Sequence, residues 1–209
     1  MKLNNKRTIL VGLAFLSICA FWQMYDSIVP LILTKTFHMN ETFSGAIMAA
    51  DNILALFLLP FFGSVSDKSH SKLGKRMPFI LFGTGCAIIL MNILPLLDNS
   101  YAAQPSGFKT ASFVIVLGLL LVAMGTYRAP AVALMPDVTP KPLRSRANAI
   151  INLMGAVGGI LYLGVAAVLY PNSKTAGLDH VNYQPLFVVV SALMAVSVIV
   201  LYFTTNEPK

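Results

Sequence analysis

The chain has 209 residues, 56% of them hydrophobic and only 11% charged, with a net charge of +7. A soluble domain carries about 25% charged residues, so the polar shell that a water-exposed surface needs is missing and lipid is the implied solvent. The basic residues cluster between apolar runs, which speaks for membrane orientation and against nucleic acid, a partner that would need a basic face on a soluble fold.

Six apolar runs follow one another, at 8–33, 43–63, 78–97, 111–135, 147–169 and 186–204. Each is near the ~20 residues that cross a ~30 Å hydrocarbon layer. A backbone in lipid must satisfy its own hydrogen bonds, so each run is expected to be a helix. The runs are continuous rather than alternating, which disfavours a β-barrel. The first exceeds the core of about 7–15 residues of a cleaved signal peptide, and Ile18 is too bulky for lipoprotein cleavage before Cys19, so it is expected to stay as a helix. Cys19 and Cys86 lie inside apolar runs and read as small buried side chains, not a disulfide. The expected fold is all-α and polytopic: one six-helix bundle over 1–209, with no soluble domain.

Lys and Arg fix the expected orientation. One set of segments holds Lys2, Lys6, Arg7, Lys68, Lys72, Lys75, Arg76, Lys141, Arg144, Arg146 and Lys209; the opposite set holds Lys35, Lys109 and Lys174. The richer side is expected to be cytoplasmic, with both termini on it. Pro30 and Pro130 should bend the first and fourth helices. Gly155 and Gly159, with Gly158 beside them, offer a small-residue face for close helix contact, and Asn148 and Asn152 extend it. Tight packing and substrate binding are both open for that face.

Three ionisable residues sit deep in the apolar runs: Asp26, Asp51 and Arg128. Each costs at least ~2.5–3.5 kcal/mol at the bilayer centre, so each is expected to face a polar interior. At about 1.5 Å per residue, Asp26 and Asp51 lie at similar depths in the outer half, while Arg128 lies in the inner half. A structural ion pair is one reading; a proton or cation relay at the acids with a substrate anchor at the arginine is the other. Trp22 and Gln23 stand one turn before Asp26 and can line the same cavity. Tyr25-Asp26 and Tyr127-Arg128 fall at matching offsets in the first and fourth helices, as three helices followed by an inverted three would give. His38, His70 and His180 fall in loops without metal-ligand spacing and are expected to be solvated. No H-E-x-x-H, G-x-S-x-G or phosphate-binding glycine loop is present, so neither an enzyme nor a cofactor is expected.

The hairpin 51–79 organises the chain. Its loop carries Gly63-Ser64-Val65-Ser66-Asp67-Lys68, then Lys72-Leu73-Gly74-Lys75-Arg76. This resembles the signature between the second and third helices of the major facilitator superfamily. The longer interval to Gly74, and the segment from Arg128 through Asp137 to Arg146-Ala-Asn-Ala149, resemble the branch of sucrose:proton symporters, solute carrier family forty-five and glycoside-pentoside-hexuronide:cation symporters. The resemblance implies sugar binding at Arg128, proton or sodium coupling at Asp26 and Asp51, and a gating role for Gly63, Asp67, Lys68, Gly74, Lys75 and Arg76. Asp67 is expected to accept bonds from helix N-termini or a guanidinium, and Lys75 and Arg76 to hold anionic partners and the lipid surface. Trp22, Gln23 and Asn152 complete the candidate substrate set.

The resemblance implies alternating access in a plasma-membrane symporter, of which this chain supplies the first six-helix half. A truncated chain, a second chain or a second copy would account for the other half. The alternative is a non-transporting scaffold, with its glycine face as partner surface.

Overall fold

The computed structural model describes residues 5–71, 73–178 and 180–205. Lys72, which lies in the expected loop signature, is outside them. The described residues form helices and connecting turns, without a strand. The order is α1 (Asn5–Leu31), α2 (Glu41–Asp67), α3 (Met77–Ala103), α4 (Gly107–Val138), α5 (Arg144–Leu169), the single turn α6 (Asn172–Thr175) and α7 (Gln184–Thr204). A π-helical turn, Ile32–Thr36, continues α1. Among the described residues, six helices are long and apolar enough to cross a membrane.

The termini follow local chemistry. Asn40 caps α2 by accepting the Thr42 N–H at 3.0 Å, and prolines occupy the first turns of α3 and α7, where a missing N–H costs nothing. Pro30 removes a donor near the end of α1, and the wider π turn follows directly. Several ends outrun the apolar runs, including the start of α4 at Gly107 rather than 111, and two of them matter most. The α2 helix continues through Gly63 to Asp67, so the first half of the loop signature is helical. The α3 helix continues to Ala103, so Asp98 and Asn99 are helical rather than in a loop. Tyr101 holds this last turn in place, with its ring 4.4 Å from that of Phe37.

The helices pack in a set of pairs. The α1 helix lies on α5 and α7, α4 lies on α3 and α2, and α3 meets α7. Lipid is as apolar as a leucine side chain, so close approach and hydrogen bonds must hold such a bundle. A Cβ on Gly158 would stand 2.0 Å from the Leu16 carbonyl oxygen, and one on Gly83 would stand 2.7 Å from the Tyr127 nitrogen. The backbones of α5 and α1, and of α3 and α4, therefore touch at these glycines. The sequence pattern points to Gly155 and Gly159; the contact itself falls on Gly155 and Gly158, because a Cβ on Gly159 would meet only Gln23 Oε1, at 4.0 Å. Between α1 and α4 the buried Tyr127 hydroxyl lies 2.7 Å from Ser17 Oγ, which in turn donates to the Ala14 carbonyl.

Candidate functional site

At one end of the bundle, Arg76 closes the α2–α3 loop. Gly74 has a φ of 104°, a left-handed value that glycine adopts without a Cβ clash, and its N–H bonds the Ser71 carbonyl. The turn sends Arg76 inward, where it is 6% exposed. Its guanidinium pairs with Asp67 at the end of α2 and, at 3.0 Å, with Asp137 near the end of α4. It also donates to Ser66 Oγ at 2.6 Å and to the Gly63 carbonyl at 3.3 Å. One planar fork thus joins three helices, a geometry that lysine cannot reproduce. Arg76 and Lys75 were expected to hold anionic partners and the lipid surface, and Asp67 to accept from a guanidinium; the anionic partners of Arg76 are Asp67 and Asp137 inside the protein, and its burial keeps it from the lipid surface. Lys68 and Lys75 are exposed. Arg144 ties down the end of α4 in a similar way, donating to the carbonyls of Pro136 and Thr139.

In the middle of the bundle, Trp22, Asp51 and Arg128 line one small pocket with Leu58, Leu121 and Gly125. Its volume is about 20 Å³, room for roughly one water. The Arg128 guanidinium carbon lies 5.5 Å from the Trp22 ring centroid, within cation–π range. No ion pair within 4.0 Å joins Arg128 to Asp26 or Asp51 among the described residues. Asn52 donates to Asp51 at 2.8 Å, and Asp26 is within electrostatic reach of Asp51. The difference in depth read from the sequence therefore does not keep Arg128 away from Asp51.

Two donors at this level lack acceptors. Trp22 Nε1 and the Tyr25 hydroxyl are buried without a hydrogen-bond partner among the described residues. Tyr25 packs edge-on to Trp22, with ring centroids 5.4 Å apart. The other expected residues face outward: Gln23 and Asp26 are exposed on α1, and Asn148 and Asn152 on α5. Much of α2 is also uncovered, including Ile53, Leu56, Phe57 and Phe61.

At the other end of the bundle the histidine expectation fails for His180. Its Nε2 lies 2.9 Å from Asn99 Oδ1, and its Nδ1 lies 3.2 Å from Thr36 Oγ1 and 3.9 Å from Asp98. It is a half-buried member of a polar cluster, because the longer α3 brings Asp98 and Asn99 beneath it. His38 and His70 are exposed.

Sequence reasoning missed Asp137, Ser66 and the Asp98–His180 pair as partners. For Asp137 a signal existed, an acid at a helix end on the same side as the basic loop. For Asp98 none did, since its helix outruns its apolar stretch.

The family model of the Major Facilitator Superfamily matches residues 11–209. The chain is 35% identical over 158 residues to "Sucrose transport protein SUC3" of Arabidopsis thaliana, covering 70% of this chain and 26% of that protein. It is 36% identical over 154 residues to "Sucrose transport protein SUT3" of Oryza sativa subsp. indica, covering 67% and 30%. It is 25% identical over 197 residues to "Alpha-ketoglutarate permease" of Escherichia coli (strain K12), covering 92% and 42%. The chain spans between about a quarter and two fifths of the length of these relatives.

Proposed function

The chain belongs to the Major Facilitator Superfamily, and from that premise we propose that it forms the first half of a symporter carrying a sugar or glycoside with protons or sodium. It is an integral, multi-pass membrane protein, resembling sucrose:proton symporters. The observation that carries the reading is the shared pocket of Trp22, Asp51 and Arg128. An arginine and an acid at membrane depth are costly unless they face water or a ligand. Trp22 Nε1 and the Tyr25 hydroxyl each lack an acceptor, a cost of about 1–3 kcal/mol apiece that substrate oxygens would relieve. Arg128 supplies two parallel donors to a pair of hydroxyl groups.

The exposed polar residues support the same view. Gln23 with Asp26, and Asn148 with Asn152, form polar patches on α1 and α5 that lipid would not tolerate. We place a second six-helix half over that face, with the substrate between the halves and Asn152 lining the cavity. The second half is a continuation of this chain, a separate chain or a second copy. A pocket of water size becomes sugar-sized only when that half forms its far wall.

The packing pairs also suit three helices followed by an inverted three. Exchanging α1 with α4, α2 with α5 and α3 with α7 turns the α1–α5 contact into α4–α2, and the α1–α7 contact into α4–α3. Tyr25 and Tyr127, at matching offsets, are both fully buried. With both termini cytoplasmic, the Arg76 clasp lies inside the cell. It strengthens one access state and must loosen in the other. Protonation of Asp26 or Asp51 removes a charge from the cavity and biases that exchange.

The test is uptake of labelled sugars into vesicles by the complete transporter under an imposed pH or sodium gradient. Arg128→Ala is expected to abolish uptake, and Asp26→Asn and Asp51→Asn to uncouple it from the gradient. Unchanged uptake in Arg128→Ala refutes the anchor; uptake indifferent to both gradients refutes symport.

A further inference from the structure

Asp98, at the bundle end opposite the basic loop, takes no part in the pocket or the clasp. It is 0% exposed, and neither carboxylate oxygen has a hydrogen-bond partner among the described residues. A bare carboxylate in such a place carries the full cost of desolvation unless a positive charge or a proton answers it. The nearest group able to do so is the His180 ring, 3.9 Å away.

The surrounding hydrogen bonds fix what the ring can do. Asn99 donates its amide to Asn182 Oδ1 at 2.9 Å, which leaves Asn99 Oδ1 as an acceptor for His180 Nε2–H. In the neutral ring Nδ1 is then an acceptor, and it takes the Thr36 hydroxyl. A proton added at Nδ1 turns that atom into a donor facing Asp98. It also frees the Thr36 hydroxyl, which stands within reach of the carboxylate, to donate to it. Apart from the new Nδ1–H bond, whose proton comes from water, only hydrogen bonds change.

We propose that Asp98, Thr36 and His180 form a proton-binding site that fastens the connector between α5 and α7 onto the ends of α1 and α3. The connector is secured further by Asn182, whose carbonyl accepts the Tyr170 hydroxyl and whose Oδ1 accepts the Gln184 N–H. The other titratable groups around the site are Tyr101 on α3, whose ring meets Phe37, and Tyr183 on the connector, which packs on Tyr170 just after α5 and lies within electrostatic reach of Asp98 and of Tyr162 on α5; Lys35, beside Thr36 in sequence, is exposed. Lys109 of α4 is held by the carbonyls of Ser100 and Gln104. Asp179, beside His180 in sequence, lies outside the described residues. Burial, and after it the Asp98 carboxylate and Tyr162, push the Tyr183 phenol above its usual value, in keeping with a site that resists negative charge.

The direction of the pH effect follows from proton count. Undocked, an ordinary aspartate and imidazole hold no proton between them above about pH 6.5. Docked, the buried and otherwise unanswered Asp98 carboxylate beside the ring favours keeping one proton on the pair. Docking therefore takes up a proton, and a one-proton difference changes the docked-to-undocked ratio about tenfold per pH unit. Docking weakens as pH rises, and the dependence flattens below about pH 6.5, where the free imidazole is also protonated.

The experiment is hydrogen exchange of the Gln184, Leu186 and Phe187 amides, which bond to Asn182 and Tyr183 of the connector, in the chain reconstituted in lipid nanodiscs, from pH 6 to 9, after correction for intrinsic exchange. The opening constant is expected to rise with pH above about 6.5, by at most about tenfold per pH unit, and to level off once the docked pair also loses its proton. Asp98→Asn, which removes the charge and should not endanger folding, is expected to give a flat profile. His180→Gln is expected to open the connector at low pH, and the control His70→Gln to keep the wild-type slope. A flat wild-type profile, a slope that survives Asp98→Asn, or a slope lost in His70→Gln would each overturn the proposal. The readout needs no transport, so it stands or falls separately from the symporter reading.

Discussion

Gly158 gives the sharpest test of how this bundle is held together. A Cβ at this position would lie 2.0 Å from the Leu16 carbonyl oxygen and 2.8 Å from its carbon. Both atoms are backbone, so no rotamer change relieves the clash. Contacts under 3.0 Å are essentially never seen for a real Cβ, so α1 and α5 must separate by about 1 Å. A gap of that size forfeits a quarter to a half of each contact along the seam. Gly158→Ala is therefore expected to destabilise the chain by about 3 kcal/mol, the upper end of overpacking costs. At Gly155 the obstacle is Cys19 Sγ, at 2.8 Å, the tip of a side chain that can turn, and the expected cost is about 1 kcal/mol. At Gly159 there is space, and alanine is expected to be neutral or to gain up to about 1 kcal/mol from helix propensity. The assay is equilibrium unfolding of the three variants in mixed micelles. Equal losses at Gly158 and Gly159, or a larger loss at Gly159, would refute the seam described here and favour the pattern read from glycine spacing.

Arg76→Ala is expected to cost about 1.5 kcal/mol in the same assay, the low end for charge-assisted hydrogen bonds because Asp67 and Asp137 are partly exposed. Arg76→Lys should recover less than half of it, since one ammonium cannot span both acids. Tyr127→Phe removes one buried hydroxyl while Ser17 keeps its bond to the Ala14 carbonyl, so a loss of about 1 kcal/mol is expected. In the complete transporter, Trp22→Leu removes the ring beneath Arg128 and an indole donor. It should raise KM for the sugar about tenfold, as a loss near 1.4 kcal/mol would; an unchanged KM would separate Trp22 from the substrate.

Six runs of about 20 apolar residues made legible in the sequence the six described helices long enough to cross a membrane, because lipid leaves the backbone no other way to satisfy its hydrogen bonds. Cost singled out Asp26, Asp51 and Arg128 in the sequence; the structure gathers Asp51 and Arg128 at one pocket but leaves Asp26 exposed on α1. The spacing of Gly74 before Lys75 and Arg76 marked a turn at that membrane edge. Tertiary structure decided the partners. That Arg76 reaches inward to Asp137, 61 residues away, follows from α4 ending beside α2, and no local pattern encodes that meeting. That Gly158 rather than Gly159 touches α1 follows from the rotation of α5 about its axis, which one residue of helical phase, about 100°, is enough to change. Asp98 looked like a loop residue because hydropathy ends at Leu97. Packing against Phe37 extends the helix past that point and buries a carboxylate where sequence alone had placed water.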